Sequence, residues 1–181
     1  MMKAAMSPDY AEFGPILVDP TPGTKEAAEA NLFAFSNEVR LRQIKAPDPS
    51  LLPVTSIPRL RQCYGWLQLN SDDLLRLLPR KLLPPYIEVS KLKRSIHPDA
   101  CYTAVVYEFV EEGVNNPEVV QEVLDFFWLG GFSHAMLPRA CNWKSAVLID
   151  HSDIVHPRGY GWNRGCFGYR TAKQILGWPN P

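Results

Sequence analysis

One helix constrains this chain more than any other stretch. Asn116 is a good helix cap, and Pro117 suits the first turn, where a missing N–H costs nothing. Val119, Val120, Val123, Leu124, Phe127 and Trp128 then recur on one face, and Gly130-Gly131 end the element. A stripe this apolar must be covered. Exposed apolar surface along it would mark the seat of a partner.

The rest of the chain breaks into short pieces around that helix. Residues 1–25 are punctuated by Pro8, Pro15, Pro20, Pro22 and Gly23 and are expected to be loosely ordered, with Ile16-Leu17-Val18 as a short strand. An alanine-rich helix is expected over about 26–44, with Leu32, Phe35, Val39 and Ile44 on its apolar side. Pro47, Pro49, Pro53 and Pro58 then impose an extended connector. Residues 63–69 read as a strand. Ser71, followed by Asp72 and Asp73, reads as the cap of a short helix crowded at its end by Pro79, Pro84 and Pro85. Residues 102–110 carry the strongest strand pattern, β-branched and aromatic throughout. Thr171 with Gln174 reads as a capping box for a last short helix, closed by Gly177 and Pro179.

At 181 residues the chain favours one domain, and 46% apolar residues suit a globular core. Nineteen basic and nineteen acidic side chains cancel, which gives no overall pull toward nucleic acid or an acidic membrane surface. The charges are segregated along the chain. No Lys or Arg lies between Arg94 and Arg139, an interval that holds Asp99, Glu108, Glu111, Glu112, Glu118, Glu122 and Asp125. Cys63, Cys101, Cys141 and Cys166 are widely spread with no CxxC pair. Together with no secretory leader pattern and no membrane-length apolar run, they predict free thiols in the cytosol or nucleus, not a secreted or membrane protein.

The stretch from Asn142 to Ile154 is the chemically suggestive one. Val147 to Ile149 form an apolar run that can bury a strand, and Asp150 stands at its exit, where a rigid element can aim a carboxylate. Asp153 and His151 follow closely. Metal–phosphate sites are often built this way. The blander reading is that Asp150 and Asp153 bond loop amides, and it is the one favoured here.

The order of these pieces resembles the protein-kinase-like fold, and more closely a set of uncharacterised fungal kinase-like proteins, over roughly residues 30–165. The segment Phe35-Ser36-Asn37-Glu38-Val39-Arg40 is similar to the small-lobe helix that carries a glutamate. Ile57-Pro58-Arg59 through Tyr64-Gly65-Trp66 resembles the strand after it. Residues 102–110 resemble the strand that runs into the hinge between lobes, and the helix after Pro117 resembles the first long helix of the large lobe. Asn142-Trp143 and Leu148-Ile149-Asp150-His151-Ser152 resemble a compressed catalytic loop and metal-binding segment. The resemblance implies an α+β, truncated bilobal fold with a small antiparallel sheet and a reduced helical lobe. Its single domain would span 26–181, small-lobe-like over about 26–110 and large-lobe-like over 111–181. Glu38, Asn142, Asp150 and Asp153 would be vestigial ligand- or nucleotide-binding residues.

The departures from that pattern decide the functional expectation. There is no GxGxxG to cover phosphates, Asp19 stands about where a strand lysine belongs, Leu137 stands where the catalytic aspartate belongs, and no His-Arg-Asp triplet occurs. The resemblance therefore implies no catalytic residue, no metal site and no cofactor beyond weak binding of a magnesium nucleotide. About thirty residues follow Asp150, fewer than a large lobe takes, so either the lobe is trimmed or a protein partner completes it.

Other constellations weigh less. His151 and His156 with Cys141 and Cys166 match no zinc spacing. His97 near Cys101 lacks a third orienting group, and Ser145 and Ser152 lack a GxSxG elbow. Residues 157–170 interleave Arg158, Arg164 and Arg170 with Tyr160, Trp162 and Phe167, a mixture that can stack on bases, but charge neutrality favours packing. The first expectation is thus a catalytically degenerate binding or regulatory module. The alternative is a small-molecule enzyme of fungal specialised metabolism that reuses the cleft near Asp150. The third is a nucleic-acid-binding module acting through the 157–170 loop.

Overall fold

The computed structural model describes residues 13–79, 81, 87–89, 92–97, 99–135, 138–159, 162–165 and 167–177. It is a mixed α/β structure whose sheets are all two-stranded and antiparallel among the described residues. Two compact units divide the chain: Arg61–Phe109 forms one, and the segments up to Leu60 and from Val110 onward form the other. No helix among the described residues is long and apolar enough to cross a membrane.

In the larger unit, β1 (Leu17–Val18) pairs with β2 (Leu52–Pro53), Leu17 opposite Pro53. Between them lie α1 (Lys25–Phe33) and α2 (Asn37–Lys45). The single helix expected over 26–44 is therefore two. Ser36 breaks it: its backbone is extended (φ −82°, ψ 148°), and its hydroxyl accepts from the Val39 N–H at 3.4 Å, starting a new helix. Serine competes with helix continuation through this side-chain bond, and the alanines upstream do not outweigh it. Asn31, buried on α1, holds the strand beside it by accepting from Asp19 N–H and donating to Asp19 C=O, both at 2.8 Å.

The organising helix is α4 (Pro117–Leu129), its cap Asn116 accepting from Glu118 and Val119 N–H. Its stripe is covered from within the unit. Val120, Val123 and Leu124 are buried with Trp143, Ala146, Leu148, Ala172 and Ile175, and Phe127, Ile154 and Leu176 pack on the margin. Val119 is the stripe residue left exposed. Ala172 and Ile175 come from α5 (Ala172–Leu176), whose start carries the expected capping box between Thr171 and Gln174. Gly131 follows α4 with φ +81°, and a side chain there would collide with the Ala28 carbonyl of α1. Only glycine satisfies both demands.

The smaller unit is a ribbon of β3 (Cys63–Asn70) and β6 (Cys101–Tyr107), Trp66 opposite Val105 and Gln68 opposite Thr103. The register slips between Cys63 and Gly65, a bulge that Gly65 accommodates at φ +121°. The short helix α3 (Ser71–Leu77) follows, but its cap is Asn70, whose Oδ1 accepts from Asp73 N–H at 2.8 Å. Ser71, expected to cap, is buried as the first helical residue and donates its N–H to Ala100 C=O. A further hairpin joins β4 (Ile87–Val89) to β5 (Leu92–Arg94). The strand expected over 102–110 ends at Tyr107.

Candidate functional site

The Asn142–Ile154 stretch folds as a tight hairpin followed by a loop. A 3₁₀ turn (Ala140–Asn142) leads into β8 (Trp143–Lys144), which returns as β9 (Val147–Leu148). The two linking residues, Ser145 and Ala146, both have positive φ, 49° and 59°. Such a two-residue turn matches the twist of a hairpin but suits Asn and Gly better than Ser and Ala. The segment before α4 holds it in place. Ser145 Oγ donates to Glu111 C=O at 2.8 Å, Asn115 Oδ1 accepts from Ala146 N–H at 2.9 Å, and Asn115 Nδ2 donates to Trp143 C=O at 3.1 Å. Lys144 pairs with Glu112 at 2.7 Å.

Asn142 is buried beneath this hairpin. Its Nδ2 donates to Asp153 Oδ2 at 2.8 Å, and its carbonyl accepts from Ile149 N–H at 2.8 Å and Asp150 N–H at 3.4 Å. Asp153 Oδ2 also accepts from Arg139 N–H at 2.8 Å, and the Asp153 carbonyl accepts from Ala135 N–H. Asp150 is exposed, and its Oδ1 accepts from Ser152 N–H at 2.8 Å. Asn142, Asp150 and Asp153 are thus brought together, and each carboxylate bonds loop amides.

Glu38 lies elsewhere. It sits in the first turn of α2 and lines a cleft of about 650 Å³ with Leu17, Asn31, Phe33, Val39 and Arg42, and none of Asn142, Asp150 and Asp153 lines that cleft. Among the described residues no group of three or more His, Cys, Asp or Glu side chains is placed to hold a metal ion. Leu137, Tyr160 and Cys166 lie outside the described residues. Trp162 and Phe167 of the 157–170 loop pack inward, Phe167 against Trp128 of α4 at 5.3 Å between ring centres, with the Lys25 ammonium over the Trp162 ring.

His134, which no sequence pattern singles out, is the most perturbed group near the loop. It lies on β7 (Ser133–His134), paired with Ile154 of β10 (Ile154–Val155). It is 3% exposed and stacks on Trp143 with ring centres 6.3 Å apart. Burial pushes its pKa down to about 4; nearby Asp153 opposes this and nearby Arg170 adds to it. A lone histidine in a polar dipeptide gives no periodic signal, so only the packed fold reveals it. At the far end of α4, Tyr169 is raised to about 12, chiefly because its hydroxyl donates to Asp125 at 2.7 Å.

No protein-family model, curated protein or solved structure matches this chain.

Proposed function

We propose that the chain is a degenerate protein-kinase-like domain that works by binding, as a regulatory module, and does not transfer phosphate. The observation that carries this reading is how the acids of the Asn142–Asp153 loop are used. Asp153 Oδ2 serves Asn142 and the Arg139 amide, and Asp150 Oδ1 serves the Ser152 amide. Magnesium demands near-octahedral oxygen ligands, so a carboxylate engaged in its own loop makes a poor first ligand. Phosphoryl transfer is mostly positioning and charge stabilisation, and Asp19 and Leu137 supply neither in the places where the resemblance requires a lysine and an aspartate. Exposed free thiols at Cys63, Cys101 and Cys141 support a reducing compartment, cytosolic or nuclear.

A phosphotransfer assay with ATP and Mg²⁺ tests the reading. The expected result is no turnover above that of the Asp150→Ala variant. Turnover that disappears in Asp150→Ala overturns it.

A further inference from the structure

The cleft that Glu38 lines has the build of a small-molecule site. It lies wholly within the larger unit, and its volume of about 650 Å³ falls in the range of about 300–1,000 Å³ that such sites take. Its wall is mainly apolar, from Leu17 of β1, Ala27 and Phe33 of α1, Val39 of α2, and Leu51. Phe33 stays 43% exposed, although the Arg158 guanidinium lies 4.9 Å from the centre of its ring. The wall is held in place by its own hydrogen bonds. Asn31 ties α1 to the Asp19 main chain with two bonds, and Gln43 of α2 donates to the Leu17 carbonyl at 3.0 Å. A wall fixed in advance lowers the cost of binding.

The charged side chains at this cleft differ in what they already do. Asp19 serves its own turn, its Oδ1 accepting from the Thr21 amide at 2.8 Å and from the Thr21 hydroxyl at 3.3 Å. Glu38 and Arg42 stand one turn apart on α2, the spacing at which such side chains commonly pair. Here Arg42 Nε donates to the Glu38 main-chain carbonyl at 3.3 Å, and among the described residues the Glu38 carboxylate and the Arg42 Nη groups bond no other group. Both side chains are exposed, so the apolar wall carries an open anion beside an open cation.

We propose that this cleft binds a free aromatic amino acid, with its ammonium at Glu38, its carboxylate at Arg42 and its ring on the wall formed by Phe33, Leu17 and Val39. A free amino acid carries both charges on one carbon, next to an apolar body. A peptide main chain carries neither charge there, and a chain terminus, a fatty acid or an alkylamine carries one. An aromatic ring also gains from meeting Phe33 edge-on or offset. The inference does not rest on the reading of the Asn142–Asp153 loop, since none of Asn142, Asp150 and Asp153 lines this cleft.

Titration of the full chain with phenylalanine, followed by amide NMR shifts, tests the proposal. Saturable shifts are expected in α1 and α2, with a dissociation constant of about 1 mM for so small a ligand. Phenethylamine, which lacks the carboxylate, and hydrocinnamate, which lacks the ammonium, should each bind at least about threefold more weakly, because exposed charge contacts contribute modestly. Glu38→Gln should abolish the difference between phenylalanine and hydrocinnamate and keep that between phenylalanine and phenethylamine; Arg42→Gln should do the reverse. Both changes lie on the exposed side of α2, and circular dichroism confirms that each variant folds. The absence of saturable shifts up to about 10 mM overturns the proposal. Equal binding of either analogue overturns it too and marks a site for a plain amine or a plain acid. So does a variant that keeps both differences, or a set of shifts that leaves α1 and α2 untouched.

Discussion

Replacing Asp153 by alanine isolates what its carboxylate does. The side chain accepts two hydrogen bonds, from the Arg139 amide and from Asn142 Nδ2, both at 2.8 Å. A bond to a charged group contributes roughly 1.5–3 kcal/mol, and a buried donor left without a partner costs about as much again in desolvation. Asn142 is 5% exposed, so its amide has little access to replacement water. Asp153 is itself partly exposed, which puts the total at the lower end, about 3 kcal/mol. Asp150→Ala removes one exposed loop bond and should cost at most about 1 kcal/mol. Urea unfolding followed by circular dichroism measures both. With a slope of about 3 kcal/mol per molar urea, Asp153→Ala should lower the midpoint by about 1 M and Asp150→Ala by about 0.3 M or less. Equal shifts, or an Asp153→Ala midpoint within about 0.3 M of the parent, would refute the assignment of Asp153 as the tie that holds the loop.

Three further changes probe both units. Gly131→Ala meets both a positive φ and the Ala28 carbonyl, and should cost more than about 2 kcal/mol, seen as a lowered melting temperature; at Gly65, where a side chain meets open space, alanine should cost only backbone strain, about 1 kcal/mol. His134 is neutral in the folded state down to about pH 4, whereas the unfolded chain takes up its proton near 6.5. Its contribution is therefore fully present above pH 6.5 and is lost as pH falls toward 4, on the order of 3 kcal/mol in all. His134→Phe should flatten the stability profile between those values, and an unchanged slope in that variant would show that other groups cause it.

The parts of the fold legible in sequence are those fixed by local signals. Asn116-Pro117 and Gly130-Gly131 bound α4 within a few residues of chain, and Thr171 with Gln174 starts α5, because caps act through neighbouring atoms. The β3 and β6 strands follow from β-branched and aromatic runs. Legibility fails where two local preferences compete, as at Ser36, where a cap defeats an alanine-rich helix, and at Asn70, which caps one residue ahead of Ser71. It fails again for two-residue strands such as β7 and β10, which are too short to show a period. In the site, the apolar run Val147–Ile149 with Asp150 at its exit is readable in the chain, but the hairpin that brings Asn142 beside it turns through Ser145 and Ala146, which carry no hairpin-turn signal. The placing of Glu38 in a separate cleft and the burial of His134 against Trp143 depend on tertiary packing, which spacing does not encode.

Nucleotide binding to the folded chain is the most direct measurement of whether the loop acids belong to the loop. A ligand at a hundred times its dissociation constant adds about 2.7 kcal/mol, which for a chain of this length raises the melting temperature by about 5–10 °C. With ATP and either Mg²⁺ or Mn²⁺ in large excess, the melting temperature should stay within about 1 °C of the unliganded value. A rise of several degrees that needs the metal ion and vanishes in Asp150→Ala would contradict it.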